Sequence, residues 1–240
     1  MNTTIALITL RAMLGRRRVL LLFALPMLLL VLAAGLRIGD FSDLDVSAGV
    51  LQQFALATLL PLLALIAGTG VIGPEIDDGQ IMYILTKPIP RHVVVLTKLL
   101  VANLLVVVFA VIPTLMAGMV MSGTTAGVGV AFTVGTLVAG VAYTSVFVAL
   151  AVASRNAVTI GLLYALVWES LLGNYAPGAR SASIQQWGLS ITDALTSTAA
   201  VEASVRTPVA ALLLATVTIG ATALAAMRLR TLSVVGGESS

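Results

Sequence analysis

Six stretches of the sequence are apolar over roughly the length that a helix needs to cross a lipid bilayer. They run over residues 19–36, 51–73, 99–121, 128–153, 157–172 and 208–227. A helix needs about 20 apolar residues for one crossing, and the lipid forces each segment to satisfy its own backbone hydrogen bonds. The pattern therefore predicts an all-α integral membrane protein with six transmembrane helices, in a domain at 19–230.

The composition excludes a soluble globular domain. Hydrophobic residues make up 59% of the 240 residues and charged residues only 10%, whereas a soluble domain carries about 25% charged residues. The first apolar stretch follows three arginines, as in a signal peptide, but it is longer than the roughly 7–15 residues typical of that class. We therefore expect it to be retained as the first helix.

Basic residues are distributed unevenly between the two sides of the predicted membrane domain. With six spans, ten of the thirteen Lys and Arg residues fall on the side that holds both termini. Loops rich in Lys and Arg stay in the cytoplasm. We therefore expect a multi-pass protein of the plasma membrane, which in a bacterium is the inner membrane, with both termini cytoplasmic.

Three segments outside the spans are assigned by their patterns. Residues 1–18 combine apolar residues at helical spacing with arginines, which predicts an interfacial helix on the inner leaflet; a frayed apolar leader is the alternative. Residues 173–207 are the largest outer segment, and their apolar periodicity predicts a part that dips into the membrane. Residues 231–240 are polar and predict a disordered tail.

Motifs for catalysis are absent from the sequence. It contains no G-x-x-x-x-G-K-[ST] phosphate loop, no H-E-x-x-H zinc helix and no G-x-S-x-G nucleophile elbow. Cysteine is absent and His92 is the only histidine, which leaves too few ligands for a zinc site. We expect no catalytic residue, bound cofactor or metal in this chain, and no nucleic-acid partner.

The most informative loop joins the second and third predicted spans, at residues 74–98. An acidic cluster and a glycine precede a short apolar helix, which ends at Pro88 and Pro90 because proline lacks a backbone donor. Arg91 and Lys98 would then anchor the third span at the cytoplasmic interface. Such a helix is suited to docking a cytoplasmic partner; the alternative is an ordinary charged connector.

This loop resembles the inner loop of membrane subunits in the type-2 ABC exporter permease family. The pattern of that family is an acidic residue, a glycine, an apolar helix, a proline, an arginine and a later lysine. The residues that match in order and spacing are Glu75, Gly79, Ile84, Leu85, Pro88, Arg91 and Lys98. Gln80 departs from the threonine usual there, which alters a detail of the helix start. The leading interfacial helix, the six spans and the membrane-dipping outer segment are also features of the family.

The resemblance implies the permease subunit of an ATP-binding-cassette exporter. A separate cytoplasmic ATPase would bind ATP and Mg, and a second permease subunit, identical or different, would complete the pair in the lipid bilayer. The loop would form a coupling helix that seats in the ATPase and passes its closure to the spans. The contact residues implied are Glu75, Asp78, Gly79, Ile84, Leu85, Pro88, Arg91 and Lys98.

A second local resemblance to a branch of these permeases is the pair Trp168 and Glu169 near the end of the fifth span. Glu169 continues a stripe of small residues spaced four apart, Ala157, Gly161 and Ala165, which permits close helix approach. An acid within the membrane is a candidate for the substrate pathway. The alternative is that Glu169 lies at headgroup depth and caps or anchors the helix.

Two other functions are compatible with the sequence. A secondary transporter driven by protons or ions would need ionisable groups at mid-membrane, and Glu169 is the only one inside a predicted span. A non-transporting membrane scaffold built on a permease fold is the second. A membrane-embedded enzyme is disfavoured by the missing motifs.

Overall fold

The computed structural model describes residues 3–13, 15–73, 91–123, 127–172, 181–196, 201 and 203–235. Within these ranges the regular structure is helical, without a β-strand. The helices are α1 (Thr3–Met13), α2 (Arg16–Ile38), α3 (Leu44–Gly70), α4 (91–122), α5 (Val128–Ala153), α6 (157–172), α7 (Ile184–Leu195) and α8 (Thr207–Val235). The all-helical class predicted from the sequence is confirmed for this part of the chain.

Four of the described helices are long and apolar enough to cross a membrane. They are Leu44–Gly70, His92–Ser122, Val128–Ala153 and Thr207–Leu229. Two shorter apolar helices, Leu22–Ile38 and Ala157–Glu169, coincide with the first and fifth predicted spans. Every predicted span therefore falls on a helix, and four of them meet the length and hydropathy of a crossing.

Helix ends differ from the predicted spans where the chain turns polar. α3 begins at Leu44 and α4 at Arg91, each about two turns before the apolar stretch begins. α8 continues to Val235, so the first part of the predicted disordered tail is helical, and 236–240 lie outside the described residues. The reason is that hydropathy marks the hydrocarbon boundary, whereas helical hydrogen bonding can continue beyond it.

Prolines inside the helices are accommodated by local changes of helical geometry. In α3 a π-helical stretch, Leu51–Leu59, precedes Pro61, and in α4 another, Val107–Val111, precedes Pro113. Proline donates no hydrogen bond and its ring crowds the carbonyl four residues earlier, and a wider π-helical turn moves that carbonyl away. Pro26 lies within α2, which continues through it.

Because successive long helices alternate in direction, the bundle has two ends. We call the end with Arg11, Arg155 and Arg228 the basic end. α3 ends and α4 begins at the basic end, and α1 packs against α4. The turns between α2 and α3, and between α4 and α5, lie at the opposite end, which we call the far end.

α5 lies at the centre of the bundle and packs against α3, α4, α7 and α8. Its side chains Phe132, Tyr143 and Phe147 are fully buried. At the far end α4 and α5 approach so closely that a Cβ at Gly129 would lie 3.1 Å from the carbonyl carbon of Gly118. Small residues allow such approach where lipid supplies no hydrophobic drive for association.

α8 and α2 form the periphery of the bundle. Only 17% of the apolar window of α8 is buried, and its exposed side chains include Val209, Leu212, Ile219 and Met227. α2 likewise exposes Leu20, Phe23, Met27 and Val31. Apolar faces of this length suit contact with lipid.

Candidate functional site

Most of the predicted coupling segment lies outside the described residues. This applies to Glu75, Asp78, Gly79, Ile84, Leu85 and Pro88. The structure describes the two helices that the segment joins, α3 and α4, and Arg91 is the first residue of α4. The predicted contacts to an ATPase therefore stay predictions.

Lys98, the last residue of the predicted contact set, is well described and fully buried. Its exposed fraction is 0%, and its Nζ donates a 2.6 Å hydrogen bond to the carbonyl oxygen of Val71. Val71 is the C-cap residue of α3. The side chain therefore lies inside the bundle, at the junction of α3 and α4, and its predicted contact with an ATPase stays a prediction.

A second polar site surrounds the carboxylate of Glu169. The hydroxyl of Tyr164 donates to Oε1 at 2.8 Å, and the hydroxyl of Ser183 donates to Oε2. The backbone N–H groups of Ile184 and Gln185 also donate, at 3.1 and 3.4 Å. Glu169 is fully buried, and these four donors give its two oxygens the hydrogen bonds that a buried carboxylate requires.

The carboxylate of Glu169 caps the first turn of α7. Ser183 is the N-cap residue of that helix, and its side chain also accepts from the N–H of Gln186 at 3.3 Å. The first N–H groups of a helix lack intrahelical partners and carry partial positive charge, so a carboxylate there is stabilising. The contact fixes the beginning of α7 against α6.

This cap lies deep in the bundle rather than near its surface. Glu169 interacts electrostatically with Tyr143 of α5. At 1.5 Å per residue, Tyr143 lies about 22 Å from Val128 and about 15 Å from Ala153, the two ends of α5. Glu169 is about 18 Å from Ala157 on the same scale. Tyr143 is therefore near the middle of α5, whereas Glu169 lies three residues before Leu172, the last residue of α6.

Two buried polar atoms beside the cap have no hydrogen-bond partner among the described residues. They are the side-chain atoms Oε1 and Nε2 of Gln185. Tyr143 lies near the Gln185 backbone as well as near Glu169. Unpaired polar atoms are costly in a membrane interior, so the boundary between α5 and α7 is a place where small rearrangements have large energetic effects.

Two tryptophans hold the short segment that precedes α7. The indole N–H of Trp187 donates to the carbonyl of Ser181 at 2.9 Å, and that of Trp168 donates to the carbonyl of Ala182 at 3.3 Å. Trp187 is buried, whereas Trp168 is 36% exposed. Of the two predicted pathway residues, Trp168 thus reaches the surface of the bundle, and Glu169 does not.

The stripe of small residues on α6 packs as its spacing predicted. Ala157, Gly161, Ala165 and Glu169 are all buried. A Cβ at Gly161 would overlap the side chain of Leu65 in α3. The prediction of close helix approach on this face is confirmed, and it brings Glu169 into the interior.

α7 crosses α5 at another close contact. A Cβ added at Gly188 would lie 2.9 Å from the Cβ of Ala139 and 3.3 Å from the carbonyl oxygen of Gly135. The predicted membrane-dipping segment therefore contains a helix that is packed into the bundle over most of its length, with Leu195 exposed at its end.

The sequence analysis missed the residues that complete the Glu169 site. Tyr143, Tyr164, Ser183 and Gln185 were not assigned a role, although the sequence from Ser183 to Gln186 has the S-x-x-Q pattern of a helix N-terminus. That signal predicts where α7 begins, but it does not indicate which carboxylate will meet it. In the part of the chain that the structure describes, no three His, Asp or Glu side chains are grouped to hold a metal.

Comparison with known proteins gives one family. A family model described as ABC-2 family transporter protein matches residues 14–172, which is more than half of the chain and includes the whole of 74–98. A search of curated proteins gives no match.

Proposed function

The chain belongs to the ABC-2 family of transporter proteins, and from this premise we propose that it is the permease subunit of an ATP-binding-cassette exporter. The apolar helices and the family together make it a multi-pass membrane protein and a component of membrane transport. The observation that carries the proposal is the family match, because it covers the segment 74–98, through which an ATPase would act.

The proposed topology has six crossings with both termini in the cytoplasm of a bacterial cell. The four long apolar helices would cross together with α2 and α6, and the basic end would face the cytoplasm because it holds Arg11, Arg155 and Arg228. α1 would lie along the inner leaflet, where its exposed Leu7 and Ile8 reach lipid.

In the proposed mechanism a separate ATPase binds ATP and Mg, and this chain holds neither. The segment 74–98 contacts that ATPase, with Glu75, Ile84 and Arg91 among the contact residues. Closure of the ATPase moves the segment, and the segment moves α3, which ends just before it, and α4, which begins at Arg91 within it. A second permease subunit, identical or different, pairs with this one, and the pair alternates access for an exported substrate.

The proposed substrate route passes the exposed face of α6. Trp168 contacts the route directly, and Glu169 acts on it through α7, since the carboxylate is fully buried and bonded to the start of that helix. A shift of α7 would therefore change the outer part of the route.

The test is ATP hydrolysis by purified components in proteoliposomes. The isolated chain should hydrolyse no ATP, and the complex with its ATPase should hydrolyse ATP and move substrate, because the chain has no phosphate loop. A complex with an ATPase that binds but cannot hydrolyse ATP is the control and should not transport. Sustained ATP hydrolysis by the isolated chain, with contaminants excluded, would contradict the proposal.

A secondary transporter driven by protons or ions is the second candidate, and one observation favours it. Glu169 is an ionisable group fully buried within the bundle, and such transporters require ionisable groups inside the membrane. The same proteoliposomes separate the two candidates. Export that continues with the hydrolysis-deficient ATPase and stops when the ion gradient is dissipated would favour the secondary transporter.

A further inference from the structure

Lys98 is among the largest side chains that the described part of the bundle buries completely, and it is the only lysine there. A lysine in a helix that crosses a membrane usually extends its ammonium group toward water. Here the group turns inward and donates a 2.6 Å hydrogen bond to the carbonyl oxygen of Val71. Such a short bond to a charged donor belongs to the stronger class of protein hydrogen bonds.

The carbonyl of Val71 is a suitable partner because it lies at the C-terminus of α3. The last carbonyls of a helix have no intrahelical donors, and they carry the partial negative charge of the helix dipole. A cation that bonds to one of them offsets both the missing donor and the charge. Val71 and Ile72 are themselves buried, so the bond is shielded from water.

The bond between Lys98 and Val71 connects the two sides of the predicted coupling segment. Val71 lies three residues before the segment 74–90, and Lys98 lies about two turns into α4, after that segment. The bond therefore joins the residues immediately before the segment to those immediately after it. A bond at this place fixes the distance between Val71 and Lys98.

We propose that Lys98 is a positioning residue that clamps the base of the coupling segment, so that α3 and α4 move together when the segment is displaced. The effect of the clamp on transport rests on the proposed function. The clamp itself rests on the hydrogen bond between Lys98 and Val71. It assigns Lys98 a role different from the other residues of the predicted contact set. Those residues would recruit the ATPase, whereas Lys98 would determine how much transport each ATP yields.

Substitutions of Lys98, with two controls, distinguish loss of the clamp from a general loss of stability. Lys98→Met keeps the length of the side chain and removes the ammonium group, and Lys98→Arg keeps a cationic donor and should restore function in part. Thr97→Val is the matched control, because Thr97 is equally buried and its hydroxyl has no hydrogen-bond partner among the described residues. Arg155→Met removes an exposed cation at the basic end.

Three quantities are measured on the complex in proteoliposomes: ATPase co-purification, substrate moved per ATP hydrolysed, and the distance across the base of the segment. Spin labels on Gly73→Cys and His92→Cys report the distance, since the chain has no cysteine and both positions are open. For Lys98→Met we expect co-purification as in the wild type and a broader distance distribution. Transport per ATP should fall by at least about tenfold, because the variant removes the hydrogen bond of a charged donor to Val71. The two controls should match the wild type.

Wild-type transport per ATP in Lys98→Met, or an unchanged distance distribution, would overturn the clamp. Loss of co-purification at an unchanged distance would also overturn it, because Lys98 would then be a contact. If Lys98→Met does not fold, Lys98→Gln takes its place, and failure of both to fold would make Lys98 a requirement of folding rather than of coupling. If the wild-type chain recruits no ATPase, the proposed function fails, while the distance still reports the clamp.

Discussion

Tyr164 and Glu169 lie five positions apart on α6, and the hydroxyl of the tyrosine donates a 2.8 Å hydrogen bond to the carboxylate of the glutamate. In an α-helix two such positions point about 140° apart around the axis. The stretch from Tyr164 to Leu172 is π-helical, and its wider turn brings positions i and i+5 toward one face. The local geometry of α6 thus prepares the carboxylate to meet α7.

The first prediction concerns the cap on α7. Glu169→Leu removes the acceptor of four hydrogen bonds and leaves the N–H groups of Ile184 and Gln185 without a partner. Hydrogen bonds to charged groups contribute about 1.5–3 kcal/mol each, so we expect a loss of at least about 3 kcal/mol in the free energy of unfolding. Glu169→Gln should lose less. Thermal unfolding in detergent measures both.

A cysteine at Gln186, which is 4% exposed in the wild type, reports whether α7 has come loose. It should react slowly with a thiol reagent in the wild type and faster in Glu169→Leu. Asp193→Asn, which changes a partly exposed acid on α7 itself, is the control. Equal labelling in all three proteins would mean that Glu169 does not hold the helix.

The second prediction concerns the crossing of α5 and α7. Gly188→Ala places a methyl group 2.9 Å from the Cβ of Ala139, and such overpacking costs about 1–3 kcal/mol. Ala139→Gly removes the opposing methyl group and should restore much of the loss, which gives a positive coupling in a double-mutant cycle. Gly220→Ala has no neighbour within 4 Å and should leave stability unchanged or raise it slightly. Additive effects at Gly188 and Ala139 would contradict this packing.

The third prediction concerns topology. Ser204 and Arg155 are both exposed and lie at opposite ends of the bundle. In intact cells a membrane-impermeant thiol reagent should label Ser204→Cys and spare Arg155→Cys, because basic loops remain in the cytoplasm. Permeabilised cells should label both, which controls for reactivity. Labelling of only Arg155→Cys from outside would invert the proposed orientation.

The fourth prediction concerns the coupling segment itself. Replacement of Glu75, Ile84 and Arg91 by alanine should leave membrane insertion intact and weaken ATPase recruitment, since a fully buried Ile side chain alone contributes about 1.5–3 kcal/mol. Co-purification with the ATPase and a transport assay measure the effect, and Arg155→Ala, an exposed cation at the same end, is the control. Wild-type recruitment and transport in the triple variant would reduce the segment to a connector.

Local pattern was sufficient to locate the long helices in the described part of the chain. The fourth predicted span and α5 share the boundaries Val128 and Ala153, and the small residues of α6 face the interior as their spacing indicated. The physical reason is that a membrane segment must satisfy its backbone within itself and must match the thickness of the hydrocarbon. Both requirements can be read from consecutive residues.

The contacts of the buried charged residues are visible only in the tertiary structure. From the sequence Lys98 was expected to anchor a span at the membrane surface. Two roles were left open for Glu169: a place on the substrate pathway, or a cap or anchor of its helix at headgroup depth. In the folded chain Lys98 meets Val71 across the coupling segment, and Glu169 meets Ser183 at the start of another helix. Each contact joins residues that a loop separates, and the packing of small residues determines which helices approach. The sequence determined where the helices are, and their packing determined which charges they enclose and what those charges bind.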